Sequence, residues 1–533
     1  MLHEFIVYIG IILLILFLVM LSEKLKVAYP IILVLGGLAV SLIPGIPEVT
    51  INHDMIFVIF LPPLLYEAAW YTSWKDLWKF RRVISSFAFL IVIVTSLVVA
   101  LFSNYMIPGF TLALGFLLGG IVSPPDAVSA TSVLKYVKIP KALSTIIEGE
   151  SLLNDASSLI IFRFALAAVI TGTFSIGDAS VDFLKVIILG VGAGVAIGFV
   201  FYAIHRWLPT NTNVDIVLTL TAPYVMYIAA ESFHVSGVLA VVSGGLFLSS
   251  RSHLILSHRS RLSGANVWST LGFVLNGLVF ILIGLELPVI LRELGSTGIN
   301  LAIRYGIAIT VVLIVTRILC TLGSSVFTVF ASKFIKVAVE RPGWRGPLVI
   351  GWAGMRGVVS LAAALSIPVY ASQGVLFPQR NLILFITFIV ILLTLVVQGL
   401  TLPWVIKVLK VGDENQELTT AQSETYVRTQ IAQQSMEYLR QKHGSKVDSN
   451  VPLQHLVKKI KSDASPADDN VAEKEKHKFA EVYLDLLEQQ RLWLAEIDKN
   501  PEIEDAVIRR HQSLVDLEEE KISVRYLNSE LRS

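Results

Sequence analysis

The sequence predicts an all-α polytopic membrane protein of about 13 transmembrane helices with a cytoplasmic helical tail, and three observations predict it. Of 533 residues, 54% are hydrophobic and 16% charged, with a mean hydropathy of +0.70; soluble chains carry roughly 25% charged residues. Runs of nearly uncharged residues, long enough to cross a bilayer, recur from Leu2 onward. Charge is also segregated: residues 411–533 hold 17 Lys and Arg against 24 Asp and Glu, whereas residues 1–410 hold 26 against 17. The net charge of +2 thus conceals a basic membrane domain, 1–410, joined to an acidic tail, 411–533. The single cysteine, Cys320, rules out an intramolecular disulfide, so helix packing must hold the fold. Positive charges lie in short loops and form no stripe, which excludes a nucleic-acid binder.

Apolar windows broken at Gly, Pro and charge clusters give thirteen spans. They lie at about 4–22, 28–44, 53–72, 83–105, 110–135, 143–170, 183–206, 213–230, 235–250, 268–291, 301–329, 346–371 and 379–408. The first is a span rather than a signal peptide, because Lys24 and Lys26 follow its apolar run and no small-residue cleavage pattern succeeds it. The windows near 220 and 240 are parted only by Glu231 and His234. Basic residues fall in or beside alternate loops: Lys24 and Lys26; Lys75, Lys79, Arg81 and Arg82; Lys135, Lys138 and Lys141; His205 and Arg206; Arg251, Arg259 and Arg261; Lys333, Lys336, Arg341 and Arg345. The positive-inside bias then places the N-terminus outside and the tail in the cytoplasm of a multi-pass cell-membrane protein. Adding or deleting one span would spoil that phase.

Charges inside spans are costly and mark function by default. The candidates are Glu67, Asp126, Glu148, Glu150, Asp155, Arg163, Glu231, Glu286, Arg304, Arg317 and Arg356. Arg304 and Glu148 have a blander reading as interfacial side chains whose stems reach water. Arg163, eight residues beyond Asp155, reads as a snorkelling or loop-bridging group.

Three segments carry the chemistry. Gly119-Gly120-Ile121-Val122-Ser123-Pro124-Pro125-Asp126-Ala127-Val128 cannot remain a regular helix, because adjacent prolines remove two backbone donors. Such backbone survives in lipid only when buried in protein or facing water. A broken helix beside Asp126 therefore points to a midplane ion site of the secondary-transporter kind; a kink that only shapes packing would not call for an acid in the break. Gly351-Trp352-Ala353-Gly354-Met355-Arg356-Gly357 is a second soft point, with glycines every third residue and a charge among them. The two breaks fall in the fifth and twelfth spans, an odd offset of seven, so two inverted repeats of roughly spans one to six and eight to thirteen follow. In Glu148-Gly149-Glu150-Ser151-Leu152-Leu153-Asn154-Asp155-Ala156-Ser157-Ser158, Asp155 has amide and hydroxyl oxygens near it in sequence. Hard cations take oxygen ligands, and a carboxylate can hold a proton in the cation's place. Glu150 needs a basic partner, Arg317 first and Arg356 second, in a structural pairing. Glu67 is read as a gate or a partner for Arg356.

Gly149-Glu150-Ser151-Leu152-Leu153-Asn154-Asp155-Ala156, Met355-Arg356-Gly357 and Pro62-Pro63-Leu64-Leu65-Tyr66-Glu67 together resemble the first family of monovalent cation:proton antiporters, which includes bacterial NhaP-type proteins and animal sodium/proton exchangers. The resemblance covers residues 1 to about 410. It implies a homodimer whose core domain of crossed discontinuous helices moves against a dimerisation domain. By the same resemblance Asp155 carries Na+ and H+ in turn, Asn154 marks electroneutral exchange, Glu150 pairs with Arg317, and Asp126 sits on the first crossed helix. Ser151 and Ser158 complete the expected ion-binding set. One departure stands out: the Thr-Asp-Pro of many members reads Pro125-Asp126-Ala127, so a ligating hydroxyl is missing. Ser123, Ser157, Ser158 or a freed carbonyl are the replacements in reach. Sodium is the expected cation, with potassium and lithium as alternatives; membrane lipid is a partner and no cofactor is expected.

The tail carries no such signal. Residues 411–450 are polar and weakly patterned, 462–470 read as a linker, and 473–527 as helical with a stripe of Phe479, Val482, Leu486 and Trp493. Pro501 is expected to open a further helix. A site for a cytoplasmic regulator, a dimerising module and merely solvated helices are all open readings. A channel or membrane sensor is the rival class, but isolated acids are not the rings of a pore. The histidines show no metal spacing and no activated Ser or Cys is visible, which argues against an enzyme.

Overall fold

Uninterrupted apolar sequence gives the backbone no water to bond, so the membrane part satisfies its polar groups within helices. The computed structural model describes residues 2–43, 58–137, 139–172, 176–294, 298–334, 343–372, 375–411, 429–441, 451–464, 473–497 and 505–522. Lys138, Lys336, Arg341, Pro501 and the start of the third span lie outside the described residues. The chain divides into two compact units, Met1–Asp413 and Glu414–Ser533.

In the first unit α1 (Leu2–Leu25) turns at Lys26, φ 54°, into α2 (Tyr29–Ser41), and α3 (Leu61–Tyr71) opens on Pro62 and Pro63. Prolines are tolerated in a first turn because its N–H groups lack helical partners anyway. α4 (Trp74–Met106) is capped by Ser73 and includes a π turn at Ser86–Ile91. It begins nine residues before the apolar window at 83, because the Trp- and Lys-rich first turns carry the helix through the interface where amphipathic side chains belong. Then follow α5 (Leu112–Val122), α6 (Ala127–Leu134), α7 (Lys141–Thr171), α8 (Ile176–Trp207), α9 (Thr212–Ser232), α10 (Gly237–Ser250), α11 (His258–Leu285), α12 (Ile299–Ala331), α13 (Arg345–Trp352), α14 (Val358–Leu365) and α15 (Arg380–Leu409). A two-stranded hairpin, Tyr370–Ser372 with Val375–Leu376, precedes α15, a small departure from an all-α fold. Among the described residues eight helical segments are long and apolar enough to cross a membrane, and α2 and α10 are shorter apolar helices.

Two apolar clusters fill this unit. One joins α5, α12, α13 and α15 through Leu117, Ile309, Val349 and Phe385. The other joins α3, α9, α10 and α11 through Tyr66, Met226, Val241 and Trp268. Helix α7 serves both: Ile147 and Phe162 pack in the first, Leu152 and Ala156 in the second. Asp155, between Leu152 and Ala156 in sequence, stands on the helix that the two clusters share. Small residues let helices meet backbone to backbone; a Cβ on Gly37 of α2 would fall 2.4 Å from the Ile281 carbonyl oxygen of α11.

The second unit contains α16 (429–441), α17 (Val451–Ala464), α18 (Glu473–Ile497) and α19 (Asp505–Ile522). α17 extends to Ala464, into the start of the expected linker. The buried face of α18 holds Ala480 and Leu487, whereas the predicted stripe residues Val482, Leu486 and Trp493 are exposed. That stripe was out of phase because several charged stems interleave the helix and blur its period. Arg491 joins the two helices, donating to Glu488 at 3.0 Å, Asp516 at 2.8 Å and Glu519.

Candidate ion-binding site

A broken helix must find new partners for the groups that the break frees. After α5, Pro124 and Pro125 supply no N–H, and the Asp126 N–H crosses to the Met355 carbonyl at 2.7 Å, within the second break. The two interruptions therefore meet. The Val122 carbonyl, left without its helical donor, accepts from Arg356 Nε at 2.9 Å. Arg356 also donates to the carbonyls of Gly354 and, at 3.5 Å, Ser123. Its own N–H goes to Thr394 Oγ1 at 3.1 Å, in the π turn of α15. A wholly buried guanidinium is thus surrounded by carbonyl oxygens, the partners its five donors require.

Helix α7 holds the other side of the break. Ser151 Oγ accepts the Ala127 N–H at 3.1 Å, and Asn154 Nδ2 donates to the Pro125 carbonyl at 2.8 Å. Among the described residues Asn154 Oδ1 is left buried without a partner. Asp126 caps α6, accepting from Val128 N at 3.2 Å, Ser129 N at 3.0 Å and the Ser129 hydroxyl. Asp155 is different: among the described residues no hydrogen bond ties its carboxylate, which is only 7% exposed.

Asp155, Asp126 and Ser151 line a cavity of about 310 Å³ with Glu148, Leu64 and Asn276. Its walls continue to Tyr71 and Thr72, the helix ends next to Lys75, and along α6 to Thr131, near Lys135. Glu148 precedes Asp155 by two turns on one face of α7, and Ser144 Oγ bonds its Oε1 at 2.8 Å. The interfacial reading of Glu148 missed this placement, whose signal was the i, i+3, i+7 spacing of Glu148, Ser151 and Asp155.

Not every expected residue joins the site. Ser158 Oγ donates back to the Asp155 carbonyl at 3.0 Å, and Ser157 bonds the carbonyls of Ala88 and Asn154. Ser123 bonds Ser96 and the Gly119 carbonyl. Neither Ser157 nor Ser158 lines the cavity, and their hydroxyls are spent on backbone that lipid leaves without water. Glu67 does not meet Arg356; its carboxylate lies over Gly272 of α11, where any Cβ would collide with it. The Arg317 guanidinium meets Glu150 in a bidentate pair, Nη1 to Oε1 at 2.8 Å and Nη2 to Oε2 at 2.9 Å, with side chains 3% and 1% exposed. Gly354 gives that arginine room: a Cβ there would overlap its guanidinium.

Two interrupted helices crossing beside an untied carboxylate, in a bundle of membrane-length helices, define a polytopic membrane protein with a core of broken helices. The chain belongs to the sodium/hydrogen exchanger family: the family model described as "Sodium/hydrogen exchanger, transmembrane" matches residues 11–408. A "Sodium, potassium, lithium and rubidium/H(+) antiporter" of Bacillus subtilis (strain 168) is 36% identical over 378 residues, 69% of this chain and 56% of the relative. The "Low-affinity Na(+)/H(+) antiporter NhaS1" of Synechocystis is 34% identical over 400 residues, 74% of this chain and 72% of the relative. The chain thus spans little more than half the length of the Bacillus relative. Among solved structures, the sodium proton antiporter MjNhaP1 of Methanocaldococcus jannaschii matches in fold with a TM-score of 0.58 at 18% identity, covering 76% of this chain and 99% of that one.

Proposed function

We propose that this protein is a secondary antiporter that exchanges a monovalent cation, sodium in the first place, for a proton, one for one, in the service of pH and sodium homeostasis. The observation that carries the reading is Asp155: a buried carboxylate, free of hydrogen bonds among the described residues, on the wall of a cavity beside the crossed breaks. Asp126 is committed to capping α6, whereas Asp155 can take either a cation or a proton. Each excludes the other, so one charge leaves for every charge that enters and the exchange is electroneutral. Ser151 Oγ on the cavity wall supplies a neutral oxygen of the kind a hard cation requires, and Asn154 Oδ1, on the same turn of α7 though not on that wall, is a second. They also stand in for the threonine hydroxyl that Pro125 replaces. So loose a set of ligands suits several alkali cations, and the Bacillus relative's name includes potassium and lithium beside sodium.

The finer architecture belongs to the same reading: thirteen spans in two inverted repeats, an outer N-terminus and a cytoplasmic tail, with a homodimer as the family resemblance implies. The meeting of the fifth- and twelfth-span breaks supports the repeats. The Lys75, Lys135 and Lys141 end of the cavity supports a cytoplasmic mouth, since basic residues favour that side. Everted vesicles with a pH-sensitive dye test the function. Sodium, potassium or lithium should each be offered at several pH values, and cation-dependent proton release should vanish in Asp155→Asn (D155N). Full release from that variant sinks the assignment of Asp155, and a steady current under a cation gradient sinks electroneutrality.

A further inference from the structure

The cavity runs along α7 from Glu148 to Asp155; farther toward the C-terminal end of the same helix a charged pair ties it to α9. Arg163 stands eight residues beyond Asp155 on α7, about 12 Å along the helix. Its Nη2 donates to Glu231 Oε2 at 2.6 Å, on the last turn of α9. The other oxygen of Glu231 accepts the Gly237 N–H at 3.1 Å, the first residue of α10. One carboxylate therefore ties the helix that bears Asp155 to the end of α9 and the start of α10, the pair of helices in the second apolar cluster. Gly237 is needed there: a Cβ would press on the Tyr227 ring and on Glu231. The Arg163 and Glu231 side chains are 46% and 29% exposed, so the protein does not enclose the pair. The Glu150–Arg317 pair, by contrast, is enclosed.

We infer that Arg163 and Glu231 form a latch that shuts the transport path at the end remote from the cavity mouth, and that it parts whenever Asp155 is exposed to that side. The inference rests on the antiporter reading with Asp155 as carrier. Alternating access requires the ion-bearing helix to shift against its neighbours, and this pair is a direct polar tie across that shift. Its half-exposed setting makes it weak enough to open in every cycle. It acts through the equilibrium between two states of access, so neither residue is required to touch the ion.

The test uses the full chain in liposomes with an internal pH dye, keeping the native Cys320. A double variant, Arg163→Cys with Glu231→Cys (R163C/E231C), is treated with a short bifunctional methanethiosulfonate. Cation-driven proton flux is expected to fall at least tenfold on cross-linking and to return with reductant. Wild type and each of the variants R163C and E231C alone, treated alike, keep their flux. Cross-linked protein, verified by mass spectrometry, that exchanges at the untreated rate overturns the latch. So does a double variant that is monodisperse on gel filtration but inactive before cross-linking, because a latch only weights two states. As a second measurement, Arg163→Glu (R163E) is expected to change the apparent cation affinity by up to about fivefold, and adding Glu231→Arg (E231R) to reverse that change. Failure of the swap to restore affinity also counts against the pair. Absence of flux from wild type would instead sink the antiporter reading itself.

Discussion

Two arginine–glutamate pairs tie α7 to other helices, and burial separates their roles. Glu150 and Arg317 are almost wholly closed to solvent and share two hydrogen bonds. Arg163 and Glu231 are partly exposed and share one. An exposed pair contributes roughly 0–1 kcal/mol. Removing one partner of a buried pair leaves an uncompensated charge and costs about 3–5 kcal/mol. Glu150→Ala (E150A) or Arg317→Ala (R317A) alone should therefore lower the thermal unfolding midpoint of detergent-purified protein sharply, whereas Arg163→Gln (R163Q) should barely move it. Because burying both charges is itself costly, the apolar double variant Glu150→Leu with Arg317→Met (E150L/R317M) should unfold later than either single variant. A double variant as unstable as the two losses added together would show that the pair does more than neutralise itself.

At the scale of elements, the sequence displays the breaks but not how they are repaired. Pro124 and Pro125 announce an interrupted helix, and the Gly-rich 351–357 a second. The Glu150–Arg317 contact was legible because a buried acid needs a base and few bases lie within spans. Arg356 was less so: it was sought as the partner of an acid, and it binds carbonyls instead, because each break frees carbonyls that no local pattern assigns. The π turns of α4 and α15 leave no mark in hydropathy, and the second places Thr394 against the Arg356 N–H. Ser157 and Ser158 looked like ligands because sequence proximity to Asp155 does not say which way a hydroxyl turns. Gly357 shows what the crossing requires. A Cβ there would lie 2.4 Å from Asp126 Oδ2, whereas Gly323 of α12 has nothing within 4 Å. Gly357→Ala (G357A) should push the Asp126 cap off α6 and cut exchange at least tenfold, while Gly323→Ala (G323A) exchanges as wild type does. Equal activity of the two alanine variants in the vesicle assay would contradict so tight a crossing.

For the whole molecule, the separation of charge and the separation of contacts fall at nearly the same place. The charge balance turns from basic to acidic around residue 410, and the compact units part between Asp413 and Glu414. The membrane unit fills both of its apolar clusters from its own helices, and the crossed breaks, Asp155 and the cavity all belong to it. The second unit buries a short set of its own, including Ala480, Leu487 and Val515, and binds α18 to α19 through Arg491. Stability in the membrane and the exchange chemistry should then be properties of the first unit alone. A chain ending at Asp413 is expected to insert, to purify monodisperse, and to show Asp155-dependent exchange with an apparent cation affinity close to that of the full chain. Its unfolding midpoint should match as well, because both apolar clusters and the buried Glu150–Arg317 pair are built from residues 1–413. A truncated chain that aggregates, or one whose exchange is lost while its midpoint is kept, would make the acidic tail a working part of the transport unit.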